Sequence, residues 1–294
     1  LEIKYLLGTS LDKLLKVVQE KHEIARKLKH DNLVLNAVIY EKLILALQQQ
    51  DTISPTSIAQ GFRKENILPL VEHDRSSLAT FYFCKMQLHY LAGDYQNALL
   101  IAQTGLSYYD SILGFLQSAE YYYYYSLVIT AIYNKLTFWH KKFYWLVLKK
   151  NLRKLRRWAK SCRENFLHKY LLVVAELARL KNKEKQAIFL YNQAIRLAGE
   201  NGYIQDQALS NELAAKYCLA LGQKEAAKTY MLNSYLRYKK WGAIAKANQL
   251  KKRYYDVLEE EIAWEKAADK NSDLINNFLR LPSTGTREVA SSVE

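Results

Sequence analysis

Six histidines, His22, His30, His73, His89, His140 and His168, are the first residues that could do chemistry. None forms an HExxH pair, stands beside a cysteine, or has the phosphoacceptor context of a histidine kinase, so each is expected to be a solvated or core histidine. Cys84, Cys162 and Cys218 are odd in number, far apart and without a CxxC pairing. That pattern predicts buried free thiols in a reducing compartment, not a disulfide framework or zinc site. Carboxylates gather on helix faces that read as solvated, as at Glu259-Glu260-Glu261. The sequence holds no GxxxxGK[ST] phosphate loop and no kinase catalytic-loop triplet. The expectation is therefore no enzyme and no catalytic, cofactor or metal site.

Three other stretches invite a functional reading. Leu281-Pro282-Ser283-Thr284-Gly285 matches a cell-wall sorting pattern, but neither the apolar segment nor the basic tail of such a signal follows it, so it reads as coincidence. The run Tyr121–Tyr125 would point all round a helix, which favours core packing with some hydroxyls at a groove. Residues 135–169 hold twelve Lys and Arg against one acid, Glu164, and so carry most of the formal net charge of +14. Within it Lys149, Lys150, Arg153, Lys154, Arg156, Arg157 and Lys160 interleave with Trp145, Leu148, Leu152, Leu155 and Trp158 at helical spacing. One face of that helix should pack while the other offers cations to an acidic protein surface, anionic lipid or nucleic acid, or simply to water.

The elements that position these residues are helices. Half of the 294 residues are apolar and Gly and Pro are scarce, which favours an all-α chain with a sizeable core. Residues 165–241 contain one helix pair written twice: Ala175, Ala187, Tyr191 and Ala194 recur 40 residues on as Ala215, Ala227, Met231 and Ser234. A fixed period in this range signals stacked helical hairpins, and small residues let two helices approach closely. Upstream, Ser10 can cap a helix with Leu11, Leu14, Leu15, Val18, His22 and Ala25 on one face. Asp31 can cap a second, with the stripe Leu33, Val34, Ala37, Tyr40, Leu43, Ile44 and Leu47. Residues 51–74 hold two prolines and break the period, a connection long enough to contain a short helix of its own. Helical spacing resumes from Ser76, turns at Gly93-Asp94, continues over 115–134 and 138–160, and after Gly242 predicts a last helix to about Asn271. The remainder should be frayed or disordered.

Ala175, Ala187, Tyr191 and Ala194, with Ala215, Gly222 and Ala227 and with Gly93 and Ala98, resemble the tetratricopeptide pattern. The period of 40, the missing closing Pro and Asn182 in place of the usual Gly mark the array as divergent. More widely, GFRKENILPL, YLAGDYQNAL, AEYYYYYSLVITAIY, RRWAKSCRENFLHKYLLVVAELAR and IQDQALSNELAAKYCLALGQKEAAKTYM resemble the helical region of large cyanobacterial multidomain signalling proteins. There the region follows a serine/threonine kinase-like domain and an AAA-type ATPase and precedes a GAF domain and a histidine kinase. The resemblance fades after about residue 262, and it implies a relay or assembly role between those halves.

The expected architecture is an all-α solenoid of about five tetratricopeptide-like hairpins: an N-terminal hairpin at 1–50, an irregular connection at 51–75, the array at 76–272 and a disordered tail at 273–294. The first helices of successive pairs should line a concave binding face offering Phe83, Gln87 and Tyr90, then Leu172, Glu176 and Arg179, then Glu212, Lys216 and Leu219. The expected function is a non-enzymatic protein–protein interaction or signal-relay module with a protein or peptide partner, flanking kinase or ATPase domains among them. A basic nucleic-acid-binding repeat protein is the alternative, and self-association stays open. No apolar run reaches the ~18–20 residues a bilayer needs, which with the cysteine pattern suggests the cytoplasm. The opening Leu suggests a piece of a longer polypeptide.

Overall fold

The computed structural model describes residues 2–28, 31–62 and 74–259, and every regular element among them is helical. Residues 1–257 form one compact unit; the rest of the chain, apart from Leu258 and Glu259, lies outside the described residues. His30, His73, Glu260, Glu261, the 281–285 motif and the expected tail at 273–294 therefore lie outside as well.

A five-residue helix α1 (Glu2–Leu6) precedes α2 (Leu11–Lys27) and α3 (Asp31–Gln48). These last two pack on each other as the expected first hairpin. Leu11, Leu14, Val18 and Ala25 of the α2 stripe are buried, as are Ala37, Tyr40, Leu43, Ile44 and Leu47 of the α3 stripe. Leu33, placed on that stripe by spacing, is instead exposed. The connection does contain a short helix, α4 (Pro55–Gly61), opened by a capping box between Ser54 and Ser57.

α5 (Arg75–Ala92) starts one residue before the expected Ser76, because the Asp74 carboxylate accepts from the Ser76 and Ser77 backbone N–H groups. It ends where Gly93 takes a left-handed φ of 82°, and Asp94 accepts from Asn97 N to start α6 (Tyr95–Leu106). A 3₁₀ turn at Tyr109–Ile112 leads to α7 (Leu116–Ile132), and another at Tyr133–Lys135 to α8 (Phe138–Ser161). Four helices of similar length follow: α9 (Arg163–Leu180), α10 (Glu184–Glu200), α11 (Ile204–Ala220) and α12 (Lys224–Trp241). All eight repeat positions, Ala175, Ala187, Tyr191, Ala194, Ala215, Ala227, Met231 and Ser234, are fully buried where these helices meet. A large apolar side chain buried this way contributes about 1.5–3 kcal/mol relative to leaving it in water. α13 (Ile244–Arg253) breaks at Tyr254 with φ −122° and ψ 40°, helix resumes over residues 255–259, and the remainder of the expected run to Asn271 lies outside the described residues.

Two features place the core. α7 is buried nearly all round and touches α1, α5, α6, α8 and α9, so the five tyrosines Tyr121–Tyr125 are all core residues. The two ends of the compact unit also meet. The Tyr5 ring packs on Tyr40 and Trp241 with centroids 5.6 and 5.8 Å away, and Gln205 Nε2 donates to the Leu6 carbonyl at 2.7 Å. Ile53 N donates to the Ala245 carbonyl at 3.1 Å, and Asn248 Nδ2 to that of Gln50 at 2.6 Å.

Candidate functional site

The nine residues expected on an open concave face divide sharply. Phe83, Gln87, Tyr90, Leu172, Glu176 and Glu212 are buried, and only Arg179, Lys216 and Leu219 keep partial exposure. An exposed row of all nine is thus corrected by the non-local packing. Tyr5 from α1 donates its hydroxyl to Gln87 Oε1 at 2.8 Å, and Gln87 Nε2 donates to the Tyr124 hydroxyl at 2.9 Å. Phe83 and Tyr90 pack edge-on to the same Tyr124 ring. The N-terminal segment and α7 occupy the space that repeat phase alone assigned to a ligand.

Part of the row survives as a cleft of about 610 Å³, lined by Glu176, Arg179, Lys216, Tyr95, Asn134, Glu184, Tyr217 and Leu221 among others. The ends of α9 and α11 supply its charges. Arg179 holds Glu176 through Nη2 at 2.6 Å and Nε at 3.1 Å, and also donates to the Thr130 carbonyl at 3.1 Å. The Tyr191 hydroxyl donates to the other Glu176 oxygen. Burial opposes the Arg179 charge, but Glu176 outweighs it and holds the guanidinium firmly protonated. One helical turn of α11 sets Lys216 Nζ 2.6 Å from Glu212 Oε1. Glu212 also accepts from Lys246 at 2.9 Å and from the Tyr238 hydroxyl at 3.0 Å. Burial would raise the Glu212 carboxyl; Lys216 and Lys246 overcome it and bring it down to about 2. Lys246 itself is lowered to about 8 by its burial, partly offset by Glu212. The Arg179 and Lys216 side chains are 23% and 25% exposed, so two positive groups anchored by buried carboxylates face a partly apolar cleft. With Glu176 and Glu184 in the same lining its charges balance, a chemistry that suits a polar segment.

Of the apolar set that spacing put on the packed face of the basic helix, Leu148 and Leu155 are buried while Trp145, Leu152 and Trp158 are half-buried. Tyr144, Leu148, Asn151, Leu155 and Ala159 are buried on one side of α8, while Lys149, Lys150, Arg153, Arg156, Arg157 and Lys160 are exposed on the other. Lys154 departs from the set: half-buried, it donates to the Tyr122 hydroxyl and lies 4.2 Å from that ring's centroid.

Spacing arguments missed a buried ionic cluster joining α7, α9 and α11. Lys169 lies 2.8 Å from Glu120 and also pairs with Asp206, whose Oδ2 meets His168 Nε2 at 3.0 Å. Burial pushes the Glu120 carboxyl up to about 7, with Lys169 pulling against it. Asp206 feels the same burial, but Lys169 and His168 overcome it and hold it at about 2. Burial also lowers His168 below its ordinary value. The available signal was Lys169 falling in phase with the apolar residues Leu172 and Val173 of α9. The cluster is fully buried and builds the core rather than a site.

The class these features define is an all-α protein of packed helical hairpins, with no helix among the described residues long and apolar enough to cross a membrane. No protein-family profile matches the chain. A stretch of 107 residues, 36% of the chain, is 34% identical to part of the hybrid signal transduction histidine kinase G of Dictyostelium discoideum, and this match spans only 3% of that protein. Among solved structures, the crystal structure of BtubC (BKLC) from P. vanneervenii aligns over 97% of this chain and 98% of its own at 17% identity. The TM-score of that alignment is 0.29.

Proposed function

We propose that this chain is a non-enzymatic interaction or signal-relay module, a divergent tetratricopeptide-like array set inside a larger multidomain signalling kinase. The partial identity to a hybrid signal transduction histidine kinase is the observation that carries the reading. The 40-residue recurrence of Ala175, Ala187, Tyr191 and Ala194 supports the repeat assignment, and the charge-balanced cleft at Arg179 and Lys216 offers a surface for a polar segment of a flanking domain. In this reading the module works in the cytoplasm, and the cyanobacterial signalling proteins it resembles share its arrangement.

The mass of the native polypeptide tests it. An immunoblot band well above 34.3 kDa supports an internal relay segment, whereas a band at that mass removes the relay and leaves a free-standing adaptor. In the longer polypeptide, Glu184→Lys with Leu221→Asp at the cleft rim should change phosphotransfer output without unfolding the array, since both side chains are exposed. Unchanged output would rule out the cleft as the relay surface. A nucleic-acid-binding repeat protein would use the cations of α8 but leave the large apolar side chains of that same face without a role.

A further inference from the structure

The solvent-facing side of α8 has two unlike halves. Its first turns expose Phe138, Trp139, Phe143 and Leu146 at 63%, 74%, 56% and 65%, an unusual concentration of apolar surface on one helix. Its later turns continue the same face with Lys149, Lys150, Arg153, Arg156, Arg157 and Lys160, none of which makes an ion pair among the described residues. Lys142 sits within the apolar half, its ammonium 4.4 Å from the Phe138 ring centroid and 5.1 Å from that of Trp139. The opposite side of the helix is anchored in the core, so this face is held outward by the fold.

We propose that the exposed face of α8 docks the folded unit onto an anionic phospholipid surface. The cations would lie in the phosphate layer and the aromatic and leucine side chains at the acyl boundary, with the helix parallel to the surface. Charge complementarity selects an anionic partner. The apolar half selects a bilayer, because phosphodiester backbones would leave Leu146 and Phe143 in water. A 24-residue helix is about 36 Å long, enough to lay both halves on one flat surface.

Vesicle sedimentation of the 294-residue chain tests this, using phosphatidylcholine vesicles with and without phosphatidylserine. The chain should sediment with phosphatidylserine vesicles and bind phosphatidylcholine alone about tenfold more weakly or less. Trp139→Ser/Phe143→Ser and Arg153→Glu/Arg156→Glu change only exposed side chains, and circular dichroism should show both variants folded. Each should lose about tenfold or more in binding to phosphatidylserine vesicles. Equal binding to both vesicle types, or a Trp139→Ser/Phe143→Ser variant that sediments like the parent chain, overturns the proposal. Binding to an oligonucleotide that survives the Trp139→Ser/Phe143→Ser change while vesicles are ignored would assign the face to nucleic acid and overturn it too.

Discussion

At the scale of single residues, the buried charges make the clearest demands. Lys169 neutralises Glu120 and Asp206 in the core, so Lys169→Met should destabilise the fold by about 3–5 kcal/mol in urea unfolding, because two carboxylates lose their cation. A loss under about 1 kcal/mol would mean the cluster is hydrated. The acid limb of stability follows from Asp206 and Glu212, both brought to about 2 from ordinary values of 3.8 and 4.5. Each is lower folded than unfolded, so the unfolded chain takes up protons first as pH falls. Their contribution is complete above about pH 4.5 and is lost on the way down to about pH 2. Urea midpoints should therefore drop across that window, and Glu212→Gln, less stable at neutral pH, should converge with the parent chain at its bottom. Glu120 acts with the opposite sign: raised to about 7, it favours the folded state below about 4.5 and loses that contribution as pH rises toward 7. Of this network the sequence showed only charged letters at core-phase positions. Which carboxylate meets Lys169 depends on three helices arriving together.

At the scale of elements, the tight turns between paired helices make the clearest demand. Asn182 holds φ 54° where the corresponding turn of the next pair has Gly222 at φ 75°. A short polar side chain tolerates this left-handed region, which explains how Asn182 makes the turn that Gly222 makes 40 residues on. Asn182→Gly should be nearly neutral, whereas Asn182→Val should cost about 1–3 kcal/mol by thermal unfolding, since a branched side chain crowds the backbone there. Equal melting temperatures for the two variants would show that the turn can relax. These elements were legible early: Gly93, Gly222, the Ala and Tyr periodicity and the two faces of α8 all sit where local spacing put them. The break at Tyr254 was not, because nothing in the spacing of that last helical run marks it.

At the scale of the whole compact unit, the decisive contact is between its ends. Tyr5 lies among Tyr40, Trp241 and Gln87, which belong to α3, α12 and α5. Tyr5→Ala should cost about 3–5 kcal/mol and lower hydrogen-exchange protection in α2, α3 and α12 together. Loss of protection confined to α1 would mean that the ends fold independently. Residue types and their period determined the helices, the tight turns and the amphipathic basic face, because those depend on neighbours within one or two helical turns. Tertiary structure alone decided that Phe83, Gln87 and Glu212 are core and that Arg179 and Lys216 still face a cleft. The Gln205–Leu6 bond shows the reason, joining residues 199 positions apart, a distance over which no helical period carries information.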